Sequence, residues 1–502
     1  MCGPIGALPP TRTSIYPVTF WAGLSLLLLA SRLAHLNILW ADEDYHLAVA
    51  IQTLHGKMLY RDIWYDKPPL SALLFMLFGA WPGWPLRLVS TLLEIGGCVV
   101  AYRFASALWT RYEGFAAAGL YAFFHVFYFA HAVIPVEPDT LMMLPHMLAV
   151  YWAWQKKPLW SGVMAGIAFL LNTKGAFVLA ACFVFYPASY TAGWLALLAG
   201  FVLPNAVAGA WLFSQGAFPD YVNQVWRWGF LYAASPQPEP PFAALFRLFG
   251  WFGFHAALVT GTIVSAIMLR DRSLRFKLIA WFGISFMAAA IGWRMPPRYL
   301  DQMIPALILM AAFGVVAILR RKQSIGIVIL AAALLVPLIR FGPRYAQLIA
   351  EDLHGQGHDW SDTTMDRESR TAAELVNRAA RPGDTVFIWG YRPNIVAYTR
   401  LPIAGQMWDS QPITMVPADR HLRVNDPLDS EWARENRQAL IRTTPSIIVD
   451  GLSAYNPELD IRKVPELSGW FARYCQIGEA ASGMSGPPAG VRIYRLCEQR
   501  YP

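Results

Sequence analysis

Ala41-Asp42-Glu43-Asp44-Tyr45-His46 and, a short way on, Tyr60-Arg61-Asp62-Ile63-Trp64-Tyr65-Asp66-Lys67-Pro68-Pro69 lie between the first two long hydrophobic stretches of the chain. Acids crowded where a chain leaves a membrane are costly unless they are hydrated, paired or bound to something. The stretch therefore reads as chemistry beside a bilayer, and the rest of the sequence supports the bilayer. Of 502 residues, 56% are hydrophobic and 15% charged, against about 25% charged in an average soluble protein. Mean hydropathy is +0.36. The 21 Trp, 21 Tyr and 29 Phe suit aromatic belts at two interfaces. A net charge of +8 invites a nucleic-acid partner, but the basic residues fall in short loops and a polar tail, where membrane topology accounts for them.

A spanning helix needs about 20 mostly apolar residues. Eleven stretches are expected to span: 16–39, 85–108, 115–134, 141–154, 159–171, 176–189, 194–213, 242–269, 278–293, 300–319 and 325–339. The first has no small-residue cleavage site before Trp40 and reads as a retained helix. Residues 69–83 are apolar but short, so they are expected to be interfacial or re-entrant. With the N-terminus inside, the short inner loops hold Arg111, Lys156, Lys157, Arg270, Arg272, Arg275, Lys277, Arg320, Arg321 and Lys322. The acidic loop, Glu137, Asp139, the 214–241 loop with its proline-rich end, and Arg298 then fall outside.

An odd number of spans puts everything after about Arg340 outside as well. The expected division is a transmembrane domain over 1–340 and an extracytoplasmic α/β domain over 341–502. In the tail, helix-like runs cover 367–380 and 431–442, and short apolar strands 385–389 and 446–449, with Pro382-Gly383-Asp384 as a helix stop. Residues 473–478 and 491–496 read as strands flanking a Gly483–Pro488 turn. A hairpin centred near Gly486 would set Cys475 opposite Cys497, and an outside compartment permits a disulfide. The other cysteines, Cys2, Cys98 and Cys182, are scattered and lack metal-ligand spacing.

After Asp42, the apolar Leu47, Ala50, Ile51 and Leu54 recur at helical spacing until Gly56. This predicts an amphipathic helix on the membrane surface with Asp42 at its N-cap, where Glu43 and Asp44 suit the positive helix end. The Asp-Glu pair, the aromatic after it, the 56–62 run and the Lys67-Pro68-Pro69-Leu70 turn together resemble the first external loop of the C-type-fold glycosyltransferases that use polyprenyl-phosphate sugars. That superfamily includes protein O-mannosyltransferases and the aminoarabinose transferases of lipid A.

The resemblance implies a polytopic helical enzyme of the cell inner (plasma) membrane that moves a sugar from a polyprenyl-phosphate donor to an acceptor hydroxyl on the outer face, with inversion. It maps the catalytic base to Asp42, with Glu43 as second acid and Asp44 an extra one, so the assignment within the triplet stays open. It maps phosphate-binding cations to Lys67, to Lys174 of the Lys174-Gly175 step, and to Arg298 beside Tyr299 with Pro305 downstream. Glu137 and Asp139 would face donor or acceptor, while Arg61, Asp62 and Asp66 shape the loop through ion pairs. Simpler readings exist for these residues, namely capping for Asp42 and Asp139, snorkelling for Lys67 and Lys174, and interface anchoring for Arg298-Tyr299.

No cofactor is firmly implied; a divalent cation at Asp42, Glu43 and Glu137 is the one candidate. Expected partners are the lipid-linked donor, a lipid, glycan or protein acceptor, and membrane lipids, with no nucleic acid. The nearest rival is an oligosaccharyltransferase or polysaccharide ligase using a diphosphate-linked donor. A transporter would place its ionisable groups near mid-membrane and show two related halves, and neither is seen. Arg32, His131, His146 and His255 are isolated and read as packing or snorkelling groups.

Overall fold

A computed structural model describes residues 16–128, 135–187, 189–234, 242–293, 295–354, 361–416, 430–480 and 490–497. His131, the proline-rich 236–241 run, Arg294 and the Gly483–Pro488 turn fall outside these residues.

The first half is helical: α1 (Tyr16–Leu33), α2 (Ala41–Leu54), α3 (Leu70–Met76), α4 (Trp84–Leu108), α5 (Arg111–Val126), α6 (Pro138–Trp154), α7 (Pro158–Leu171), α8 (Gly175–Phe183) and α9 (Thr191–Ser214). There follow α10 (Phe218–Tyr221), a π-helical turn at Val222–Arg227, α11 (Trp228–Ala234), α12 (Ala243–Phe254), α13 (Ala256–Met268) and α14 (Arg272–Ala290). A 3-10 segment, Pro297–Met303, leads into α15 (Ile304–Arg320), and α16 (Ser324–His354) runs unbroken past Arg340.

Each of the eleven stretches contains helix. Among the described residues, however, five helices are long and apolar enough to cross a membrane, or six if the bent pair α12–α13 is one span. The expected 242–269 span is in fact broken: α12 and α13 meet at 80°, at His255, whose ring stacks 3.9 Å from that of Trp251. Helix α15 is the central one, with 78% of its apolar window buried, whereas α9 and α16 bury 17% each. Close packing rests on missing side chains. A Cβ on Gly162 of α7 would strike the Leu197 carbonyl of α9, and one on Gly314 of α15 the Gly261 carbonyl of α13.

The tail holds α17 (Ser361–Ala379), β1 (Val386–Trp389), α18 (Asn394–Thr399), α19 (Gln411–Thr414), α20 (Glu431–Ile441), β2 (Ile447–Asp450), α21 (Pro465–Phe471), β3 (Tyr474–Ala480) and β4 (Val491–Leu496). The strands form one sheet in the order β1-β2-β4-β3. β1 and β2 are parallel and the other pairs antiparallel. In the hairpin Cys475 pairs with Arg495 and not with Cys497, and a bulge between Gln476 and Gly478 accounts for one residue of that two-residue shift. The Cys475–Cys497 disulfide still forms, slanting across the ladder with Cα atoms 5.3 Å apart.

Helix α2 departs from its expected setting. It does not lie on a surface but is buried on both faces between two hydrophobic cores. Leu47, Ala50 and Ile51 face the core of the long helices. Tyr45, Ala48 and Val49 face a second core that includes Val386, Ile388, Trp408 and Ile448 of the tail. The N-cap is Trp40, so Asp42 stands inside the first turn and not at the cap. Gly56, at φ +87°, ends the run as expected. Of the packing or snorkelling roles expected for Arg32, it takes the first: it is buried and pairs with Glu94 at 3.3 Å. His146 accepts a hydrogen bond from Trp281 Nε1 at 2.8 Å.

Candidate active site

The acid triplet is consecutive in sequence but divided in space, because neighbouring residues of a helix point about 100° apart. Asp42 enters a cavity and pairs with Arg298. Glu43 turns into the helix bundle, where Arg87 of α4 binds it through Nη1 at 2.9 Å and Nη2 at 2.6 Å. The same carboxylate accepts Val136 N at 2.9 Å and Trp40 N at 3.1 Å. It is fully buried and outside the cavity wall, which leaves it no reach to a substrate. Asp44 turns to the tail and accepts Asn394 N at 3.1 Å.

The cavity measures about 480 Å³. Of the residues given a role from the sequence, Asp42, Asp66, Lys67, Glu137, Asp139, Lys174, Arg298 and Tyr299 line it. Arg61 and Asp62 do not. They pair with each other at 2.9 Å on the surface and brace the loop, Arg61 donating to Gln215 O and Asp62 accepting Met58 N.

Besides Asp42 from α2, four segments deliver the charged groups. The Lys67-Pro68-Pro69 turn presents Lys67, held 2.9 Å from Asp66. Burial opposes its charge, but the Asp66 carboxylate and the Tyr299 phenol outweigh burial and raise the ammonium above its usual range. The start of α6 presents Glu137 at the N-cap and Asp139 within the first turn, where the helix dipole favours acids. Between α7 and α8, Asn172 and Lys174 both donate to Asp139 Oδ1 at 3.1 Å. Gly175 is obligatory there, because a Cβ would strike the backbone of Ala168 and Phe169.

The 3-10 segment presents the last group. In a 3-10 helix residues three apart eclipse, so Arg298 and Asp301 share one side and Tyr299 and Gln302 another. Arg298 Nη1 accordingly lies 3.8 Å from Glu137, and Gln302 donates to Asp139 Oδ1 at 3.2 Å. The Lys174 ammonium sits 3.2 Å over the centre of the Tyr299 ring, a cation–π contact that holds both.

Sequence reasoning missed most of the aromatic half of the wall, among it Trp226, Trp228 and Tyr232, and the contributions of the tail, Tyr391 and Gln411. Their individual signal was nil in a chain with so many aromatics. It also missed the buried Asp301, whose only mark was an acid at the start of an apolar span. Among the described residues no three His, Cys, Asp or Glu side chains cluster as a metal site; Glu43 is spent on Arg87, which does not fit the divalent cation considered for Asp42, Glu43 and Glu137.

Solved structures of similar shape exist. ArnT from Cupriavidus metallidurans bound to undecaprenyl phosphate superposes with a TM-score of 0.58 at 12% identity, over 97% of this chain and 99% of that one. Its apo form gives 0.59, also at 12% identity, over 96% and 98%. The fold is that of the C-type glycosyltransferases. The Archaeoglobus fulgidus oligosaccharyltransferase in its apo form follows at 0.50 and 13% identity, over 98% of this chain and 76% of that one. Residues 66–213 match the model of the dolichyl-phosphate-mannose-protein mannosyltransferase family, so the Lys67 turn, the Glu137–Asp139 acids and the Lys174-Gly175 step all fall within the matched part of this C-type fold. No curated protein matches the chain by sequence.

Proposed function

We propose that this C-type chain is an integral-membrane glycosyltransferase that moves a sugar from a polyprenyl monophosphate to an acceptor hydroxyl. The observation that carries the reading is one cavity in which a carboxylate, Asp42, faces three cations from separate segments, Lys67, Lys174 and Arg298. Asp42 takes the proton of the acceptor hydroxyl as its oxygen bonds to the anomeric carbon. The bond from that carbon to the phosphate oxygen breaks, its electron pair leaves on the phosphate, and the cations stabilise the growing charge. Attack opposite the leaving group inverts the anomeric centre.

Phosphate already leaves well, so no second acid is required, consistent with Glu43 being tied to Arg87. Asp42 is paired with Arg298. A bound phosphate competes for that arginine, and the base is thereby released only when donor is present.

The same reading places the protein in the inner (plasma) membrane with eleven spans, the N-terminus inside and the cavity outside. Residues 1–340 would form the membrane part and 341–502 an extracytoplasmic domain. Tail residues Tyr391 and Gln411 in the cavity wall support catalysis on the tail's side of the membrane. Incubating purified protein with polyprenyl-monophosphate and polyprenyl-diphosphate sugars and radiolabelled acceptors tests it. Transfer from the monophosphate is expected; transfer from the diphosphate alone makes the chain a ligase, and no transfer from either defeats the reading.

A further inference from the structure

Tyr128, two residues beyond α5, puts its hydroxyl 3.0 Å from Glu137 Oε1 and 2.5 Å from Asp301 Oδ2. All three side chains are buried, at 5%, 1% and 2% exposure. A phenol has one proton and can donate it to one carboxylate only. The second carboxyl within hydrogen-bond distance must therefore carry a proton of its own and donate it to the phenol oxygen.

The surroundings agree. Facing Glu137 are Asp42 and Glu43 from α2, Asp139 from its own helix, Lys174 from the α7–α8 turn, and Arg298 and Asp301 from the 3-10 segment, with Lys67 across the cavity. Burial and then Asp139 push the Glu137 carboxyl well above its usual range, against Tyr128 and Lys174. On and behind this wall stand five acids, Asp42, Asp66, Glu137, Asp139 and Asp301, and three cations, Lys67, Lys174 and Arg298. Fully ionised, they would repel the anionic donor that the proposed function requires.

We propose that Glu137, Tyr128 and Asp301 form a positioning unit whose two carboxyls hold one proton, carried by Glu137, so that Arg298 keeps a single ionised partner among the described residues, Asp42. The unit touches no reacting atom. It keeps the cavity less negative than its acids suggest and keeps Arg298 available to a phosphate. The inference that Arg298 serves a phosphate rests on the proposed function; the shared proton rests on geometry alone.

Infrared difference spectra of substrate-free wild type, E137Q and D301N near neutral pH test the proton directly. A protonated-carboxyl band is expected in the wild type and is expected to vanish in both variants. A band missing from the wild type, or surviving either substitution, overturns the proposal. Y128F keeps the ring and removes only the hydroxyl; it should move the band, and a band left in place counts against the bridge.

Equilibrium binding of undecaprenyl phosphate tests the link to Arg298. D301N is expected to weaken it about tenfold near neutral pH, the equivalent of roughly one pKa unit. Affinity should recover in mild acid as Glu137 takes up its own proton, and the E137Q/D301N pair should show no such recovery. Unchanged affinity in D301N, or recovery in the pair, overturns the link. Wild-type protein that binds no polyprenyl phosphate defeats the proposed function and leaves the infrared result standing.

Discussion

At the scale of single residues, the cavity's chemistry is set by what each charged group already holds. Asp42 is paired with Arg298, so Asp42→Asn removes the proposed base and releases the arginine together. Transfer should fall about 10²–10⁴-fold, the usual worth of a general base, while undecaprenyl-phosphate binding is kept or tightened. Parallel turnover and binding measurements check this, and near-normal turnover would take the role from Asp42. Lys67→Ala should act the opposite way, costing the donor lipid about 1.5–3 kcal/mol of binding, as for a hydrogen bond to a charged group. Glu137 adds a pH dependence. Its raised pKa means that the folded chain holds a proton where the unfolded chain does not. Its contribution therefore makes stability fall as pH climbs from the ordinary carboxyl range through the raised pKa, and E137Q should flatten that fall in thermal unfolding curves.

At the scale of elements, α2 is the joint of the molecule. One face is buried in the helix core and the other in the tail core, and its first turn sends one acid to each of three places. Glu43→Ala would strand the buried Arg87 guanidinium, a loss of about 3–5 kcal/mol for a broken buried pair. Expression or melting temperature should drop sharply. Asp44→Ala should spare the bundle and loosen the tail, because it removes the acceptor for Asn394 N. Faster proteolysis within 361–416 at an unchanged bundle would show it. The amphipathic pattern of α2 was legible, but its second buried face was not: Tyr45, Ala48 and Val49 become core only because the tail returns to cover them.

At the scale of the whole molecule, the tail is expected outside. Reporter fusions at Arg321 and Asp384 should read inside and outside respectively, and matching readouts would mean a miscounted span. The short α8, nine residues against about 20 for a crossing, is the first place to look. The Cys475–Cys497 disulfide ties the end of β4 to β3, its partner in the hairpin. Cys475→Ser should cost the tail about 2–4 kcal/mol. Intact-mass analysis of unreduced, alkylated protein should find both thiols protected.

The sequence alone determined that the chain is a many-helix membrane protein with a polar α/β tail, because apolar runs and turn residues are local signals. It also determined which acids and cations were unusual, since charge beside a bilayer needs a reason wherever the chain later goes. Only the tertiary structure decided which of them meet. Asp42, Lys67, Lys174 and Arg298 come from segments scattered over half the chain and face one cavity. Glu43, one residue from Asp42, is turned away because a helix rotates its side chains at every step. The partnership of Tyr128, Glu137 and Asp301 had no local signature, since it exists only where a loop, a helix start and a 3-10 turn are folded against each other.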